Sequence, residues 1–217
     1  MNKFNLKTIL LDFDGTIINS NDIKDKAFET IFYKWPEHKY EMMKYHISNN
    51  HVDRNGKFKY FVEKVLKIKN SETLISDLTK KFSDLTFQNI INAKMIKGSF
   101  NFIKYFHNKL PCYLISATPQ AELKKIISTM GLNIYFKNIY GAPLNKEKVF
   151  RKILKFESIH PNQAVCIGDS QEDFSSAHSI GIPFIQRISD RKILGCNSFA
   201  SNNFFDIKQY IISNYEN

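Results

Sequence analysis

An α/β fold is predicted for this chain: a parallel sheet with helices on both faces, interrupted by one inserted α-helical unit. Three observations predict it. Short, continuous apolar runs occur once near the start and repeatedly after Gly98, the pattern of strands buried on both faces. Between those runs lie helical patterns of roughly ten to fifteen residues, which imply right-handed crossovers and parallel pairing. From about 19 to 95, by contrast, helical periodicity dominates.

Taken in order, Thr8-Ile9-Leu10-Leu11-Asp12 is the first strand. It ends in Asp12-Phe13-Asp14-Gly15-Thr16, where Gly15 permits a turn that a side chain would obstruct. Helical faces follow: Ala27, Phe28, Ile31 and Phe32; then Phe58, Phe61, Val62, Val65 and Leu66; then Leu74, Ile75, Leu78, Phe82 and Leu85. Polar stretches such as Ser48-Asn49-Asn50-His51 separate them. Ser99 to Asn108 reads as a helix with Phe102, Ile103 and Phe106 on one side, and Pro111 to Ser116 as a strand. Pro119 to Met130 is a helix stopped by Gly131. A short strand near Asn138-Ile139-Tyr140 precedes a helix from about Lys146 to Phe156. The strand Ala164 to Gly168 ends at Asp169, a helix from about Glu172 closes at Gly181, and Ile182 to Ile185 is the last strand. Phe204 to Ile212 adds one more helix. The expected division is residues 1–18 with 96–217 as the α/β core, and 19–95 as the helical insertion.

Composition narrows the function classes. A chain of 217 residues with 43% apolar content can bury a core, so wholesale disorder is not expected. No apolar run reaches the roughly eighteen residues of a membrane span. The segment Met1 to Lys7 has no small-residue cleavage pattern, so the expected compartment is the cytoplasm. Cys112, Cys166 and Cys196 show no Cys-x-x-Cys spacing and are read as reduced thiols. The formal net charge of +10 raises nucleic acid as a partner, but the lysines are dispersed and no arginine block exists. A positive field drawing anionic substrates to a cleft is the better use of that surplus.

In such sheets ligands bind beyond the carboxyl ends of the strands. Asp12 and Asp14, Ser116 and Thr118, and Asp169 all fall at that edge, and Lys146 opens a helix that reaches it. Two carboxylates two residues apart repel each other and call for a cation. A hard divalent ion with oxygen ligands suits three carboxylates better than zinc does. Bridging Asp12 and Asp169, it would let a carboxylate approach a phosphate dianion. Lys146 would balance the transferring oxygens, and Ser116 would donate to one of them. Phosphoryl transfer asks for little beyond such positioning and charge neutralisation.

Asp12-Phe13-Asp14-Gly15-Thr16 resembles the first motif, DxDGT, of the haloacid dehalogenase superfamily. Leu114-Ile115-Ser116-Ala117-Thr118 is similar to its second motif. Lys146 matches the third-motif lysine, with Lys148 also available, and Gly168-Asp169-Ser170-Gln171-Glu172-Asp173 matches the fourth, GDSxxD. The four stand in order over about residues 8 to 186. The resemblance implies a Rossmann-like core and a helical C1 cap at 19–95, as in the phosphoglycolate phosphatase and β-phosphoglucomutase branch. It implies that Asp12 attacks phosphorus and becomes an aspartyl-phosphate, and that Asp14 is the general acid and base. It places Mg2+ on Asp12, the Asp14 main-chain carbonyl and Asp169. It gives the phosphate contacts to Ser116, Ala117 and Lys146, and supporting roles to Asp173, Gly15 and Thr16. The implied activity is hydrolysis of a small phosphorylated metabolite, such as a sugar phosphate or phosphoglycolate.

A phosphomutase would share every core residue and is the alternative; a basic nucleic-acid-binding module or a non-catalytic one is the outsider. A dehalogenase would lack Asp14, since no leaving alkoxide needs a proton. Arg54 and His51, in a polar loop of the insertion, are candidate substrate contacts.

Overall fold

The computed structural model describes residues 5–49, 52–69, 71–143 and 145–215. The chain forms two compact units, Met1–Asn19 with Lys94–Asn217, and Ser20–Ala93. The strands are β1 (Thr8–Leu11), β2 (Cys112–Pro119), β3 (Asn138–Ala142), β4 (Ala164–Gly168), β5 (Phe184–Arg187) and β6 (Ala200–Ser201). The helices are α1 (Asn21–Phe32), α2 (Pro36–Ser48), α3 (Arg54–Tyr60), α4 (Glu72–Ile91), α5 (Ser99–Phe106), α6 (Gln120–Thr129), α7 (Lys146–Glu157), α8 (Gln171–His178) and α9 (Phe204–Tyr215).

The first unit is an α/β fold. Its sheet has the order β3-β2-β1-β4-β5-β6, and every neighbouring pair is parallel. The strand order reverses at β1, the switch point beside which open parallel sheets bind ligands. Strand alternation decides the faces. Leu10, Tyr113, Ile115 and Cys166 turn towards Phe150, Ile153 and Leu154 of α7 and Ala177 of α8 in one buried cluster. Elsewhere in this unit α5 meets α9 through Phe102 and Phe204, ring centroids 5.0 Å apart. No described helix is long and apolar enough to cross a membrane.

Two details differ from the sequence reading. Ile182 donates its N–H to the carbonyl of Ala177 (2.9 Å), closing α8 after Gly181, whose φ is +78°. The last predicted strand therefore starts later and runs on to Arg187. The short β6 was not anticipated, because two residues carry no readable period.

The second unit is all helical, with a π-helical turn at Phe61–Val65 following α3. Phe28, Phe32, Phe58, Phe61 and Phe82 fill its core with Ile31, Met42, Val62, Ile75 and Leu78. Sequence periodicity had given α2 no face of its own, since only Met42 and His46 of it are buried. His46 is held between carboxylate and ammonium: its Nε2 lies 2.8 Å from Asp25 Oδ1, and Lys57 Nζ lies 2.9 Å from its Nδ1. Arg54 is buried within this same unit, donating to Ser83 Oγ (2.6 Å) over the Phe82 ring. His51 lies outside the described residues. The chain leaves and re-enters the first unit at neighbouring points, with Asn19 N bonded to Lys94 O (3.0 Å) and Ile96 N to Ile17 O (2.9 Å).

Candidate active site

Pairing puts the polar residues at one edge. Leu11 of β1 is in register with Leu114 of β2 and Ile167 of β4, so the residues just beyond them converge. Asp12 follows β1, and its N–H donates to the Ile167 carbonyl (3.0 Å), continuing the ladder by one residue. The turn after it is tight. The carbonyl of Phe13 accepts from the N–H groups of Thr16, Ile17 and Ile18, and Gly15 at φ +72° donates to the Ile18 carbonyl (2.9 Å). A residue with a Cβ would be strained there by roughly 1–2 kcal/mol.

Lys146 is the hub. Asn145 caps α7 by accepting from Lys148 N (2.9 Å), which makes Lys146 the first helical residue and points it at the sheet edge. Only 3% exposed, its Nζ donates to Asp12 Oδ1 (2.9 Å) and to Asp173 Oδ1 (2.6 Å). Lys148, one turn position away, is exposed. The geometry thus selects Lys146 over Lys148.

Asp173 is fixed from both ends. Its Oδ2 accepts from Ser170 Oγ (2.5 Å) and Ser170 N (3.3 Å), while Ser170 Oγ accepts from Asp173 N. This is a capping box at the start of α8. With Oδ1 on Lys146 and Oδ2 on Ser170, Asp173 orients the lysine.

Asp14, half-buried, is held differently. Ser116 Oγ (3.0 Å) and Thr118 Oγ1 (2.9 Å) both donate to its Oδ2, and Ser116 Oγ accepts from Thr118 N (3.1 Å). In this arrangement the Ser116 hydroxyl serves Asp14. Ala117 lies between the two hydroxyl residues, half-buried at the edge. The buried Oγ1 of Thr16 has no hydrogen-bond partner among the described residues.

Charge dominates the site. Burial, opposed by Lys146 and reinforced by Asp173, Asp169 and Asp14, holds the Asp12 carboxyl well above the usual carboxylate range. Burial works against the Lys146 ammonium too, yet Asp12, Asp173 and Glu172 outweigh it and hold it above ordinary lysine. Both partners of the Lys146–Asp12 pair shift upward, Asp12 chiefly through burial and Lys146 because several acidic side chains act on it together. One carboxylate oxygen each from Asp12, Asp169 and Asp173 fall within 4.8 Å of one another. No thiol or imidazole belongs to that group, so its donors are hard oxygens and suit a magnesium-type ion. Within that group Asp173 gives Oδ1 to Lys146 and Oδ2 to Ser170, while Asp12 gives Oδ1 to Lys146.

Thr118, Ser170 and Arg187 had no role assigned from sequence. The Ser170-x-x-Asp173 spacing was a legible capping signal. Thr118 stood at the right edge, though nothing local said that its hydroxyl would meet Asp14. Arg187 lay beyond the predicted strand and gave no signal.

No curated protein sequence matches the chain. Among solved structures, the haloacid dehalogenase-like hydrolase SP0104 from Streptococcus pneumoniae superposes with a TM-score of 0.69 at 16% identity, covering 95% of this chain and 98% of that one. YfnB from Bacillus subtilis, solved with magnesium bound, gives 0.72 at 15% identity over 95% and 99% of the two chains. CbbY from Rhodobacter sphaeroides, in complex with xylulose-(1,5)bisphosphate, gives 0.70 at 15% over 92% and 95%. At such identities these likenesses speak for the fold. The family model described as haloacid dehalogenase-like hydrolase matches residues 9–186, a span that holds Asp12, Asp14, Ser116, Ala117, Lys146, Asp169 and Asp173 and stops just short of Arg187, and the chain belongs to that family of hydrolases.

Proposed function

We propose that the chain is a magnesium-dependent phosphatase acting on a small organic phosphate monoester, with Asp12 as the nucleophile. One observation carries this reading: a buried carboxylate at the switch point, 2.9 Å from a buried lysine and grouped with two further carboxylates. Asp12 and Asp169, with the main-chain carbonyl of Asp14, would hold the metal. Bound there, Mg2+ supplies charge neutralisation for an incoming phosphate dianion. Asp12 attacks phosphorus in line, forming an aspartyl-phosphate as the bond to the leaving oxygen breaks. Asp14 gives that oxygen its proton and later takes one from the hydrolytic water. Ser116, the backbone at Ala117, and Lys146 would contact the transferring oxygens, which requires the Ser116 hydroxyl to turn from Asp14 to the phosphate. Asp173 keeps Lys146 aimed, and Gly15 and Thr16 shape the turn that presents Asp14.

The magnesium-bound state of YfnB and the sugar bisphosphate held by CbbY support the metal and the substrate class. We propose that the helical unit, inserted where this family carries a cap, supplies contacts to the leaving group. Three unbridged cysteines support a reducing, cytoplasmic setting.

The test is a panel of phosphorylated metabolites and an aryl phosphate, assayed with Mg2+ and with chelator. Hydrolysis requiring Mg2+ is expected, and Asp12→Asn should be inactive while folded. Asp14→Asn should slow esters with poor leaving groups more than activated ones; equal losses would remove the acid role.

A further inference from the structure

The extension of β5 beyond its predicted end places Arg187 at the edge where the acidic residues gather. Gly168 of β4 pairs with Gln186 of β5, so the next residues along, Asp169 and Arg187, sit side by side. The Arg187 side chain is 7% exposed. Its Nε donates to the carbonyl of Gly15, in the turn after the nucleophile, and its Nη1 to the carbonyl of Ile188. Burial works against its charge, while Asp169 and, from the exposed loop, Asp190 sustain it. A buried guanidinium without an acidic neighbour would be costly.

The two buried cations divide the acidic cluster. Lys146 takes Asp12 and Asp173, and Arg187 bonds the Gly15 turn and stands beside Asp169 by the β4–β5 register. The four aspartates at 12, 14, 169 and 173 outnumber these two cations, so the edge carries surplus acidic groups and favours a bound cation. A neutral anchor could satisfy the two carbonyls; it could not offset the charge of Asp169.

We infer that Arg187 is a positioning residue of the metal site, anchoring the Gly15 turn and offsetting the charge of Asp169 beside the ion. The inference rests on the proposed metal reading. Its test is Mg2+ binding by calorimetry, with thermal unfolding with and without Mg2+. Removing a like charge from beside the ion should tighten Mg2+ binding by Arg187→Met about three- to tenfold. The metal-free variant should lose more thermal stability than the Mg2+-loaded one, because the added repulsion is relieved by the ion. Arg187→Lys, which keeps the charge, should bind Mg2+ within about twofold of the unmodified protein. Arg187→Gln makes the same charge change with a donor retained, and serves if Arg187→Met does not fold. Unchanged or weaker Mg2+ binding by the neutral variants, or equal stability losses with and without the ion, would make Arg187 a structural anchor and overturn the inference. No Mg2+ binding by the unmodified protein would instead sink the metal reading itself, and this inference with it.

Discussion

Gly168 is the position where a single methyl group tests the whole arrangement. It ends β4, immediately before Asp169, and a Cβ added there would lie 2.5 Å from both Cβ and Cγ of Asp173 and 2.6 Å from its Oδ2. Ordinary contact needs about 3.5 Å, so Asp173 would have to retreat by about 1 Å. Its Cβ belongs to the first turn of α8, so rotation of the side chain alone cannot clear the clash. The retreat strains three bonds: Oδ1 from Lys146 Nζ at 2.6 Å, and Oδ2 from Ser170 Oγ at 2.5 Å and Ser170 N at 3.3 Å. Overpacking costs about 1–3 kcal/mol, a lost helix cap about 1 kcal/mol, and a weakened charge-assisted hydrogen bond about 1.5–3 kcal/mol. These overlap, and Gly168→Ala should destabilise by about 3–5 kcal/mol. For a chain of this size that lowers Tm by roughly 6–20 °C. Gly131→Ala is the control: φ is +67° and nothing lies within 4 Å of the added Cβ, so it should cost only the left-handed backbone, about 1–2 kcal/mol. Urea and thermal unfolding read the difference, and turnover of an aryl phosphate should fall in parallel as Lys146 loses an anchor. Gly168→Ala no more destabilising than Gly131→Ala would refute the packing argument.

Three further outcomes are expected. Lys146→Met, which leaves buried Asp12 and Asp173 without their lysine, should cost about 3–5 kcal/mol of stability, whereas exposed Lys148→Met should stay within about 0.5 kcal/mol by urea titration; similar losses would return the site to the other lysine. Thr16→Val removes a buried hydroxyl that has no partner among the described residues and should be neutral or stabilising by up to about 1–2 kcal/mol; a clear loss on thermal unfolding would mean that the hydroxyl is engaged. Burial pushes the Cys112 thiol up to about 12 and raises that of Cys166 well above the ordinary thiol range. In native protein near pH 8, iodoacetamide should therefore label half-buried Cys196 first, as followed by mass spectrometry; equal labelling of all three would contradict the burial.

The strands of the core and the carboxylates at their ends were legible because both signals are local. A buried parallel strand writes itself as a short apolar run, and the polar residue that ends the run marks the sheet edge. Thr8 to Leu11 followed by Asp12, and Ala164 to Gly168 followed by Asp169, needed no knowledge of each other. The order of the four motifs likewise gave the family, the nucleophile candidate and the position of the insertion. What stayed hidden was the choice of partner. Whether Lys146 or Lys148 turns inward depends on the Asn145 cap fixing where α7 begins. Whether Ser116 and Thr118 reach Asp14 depends on β2 lying beside β1, over 100 residues away in the chain. Arg187 reaches the site because β4 holds β5 in register two residues past the end that periodicity gave it. Periodicity and turn chemistry act between near neighbours in the chain, so the sequence by itself determined the elements and the residues that could do chemistry. Hydrogen bonds and charge act through space over a few ångströms, so only the folded chain decided which of those residues meet.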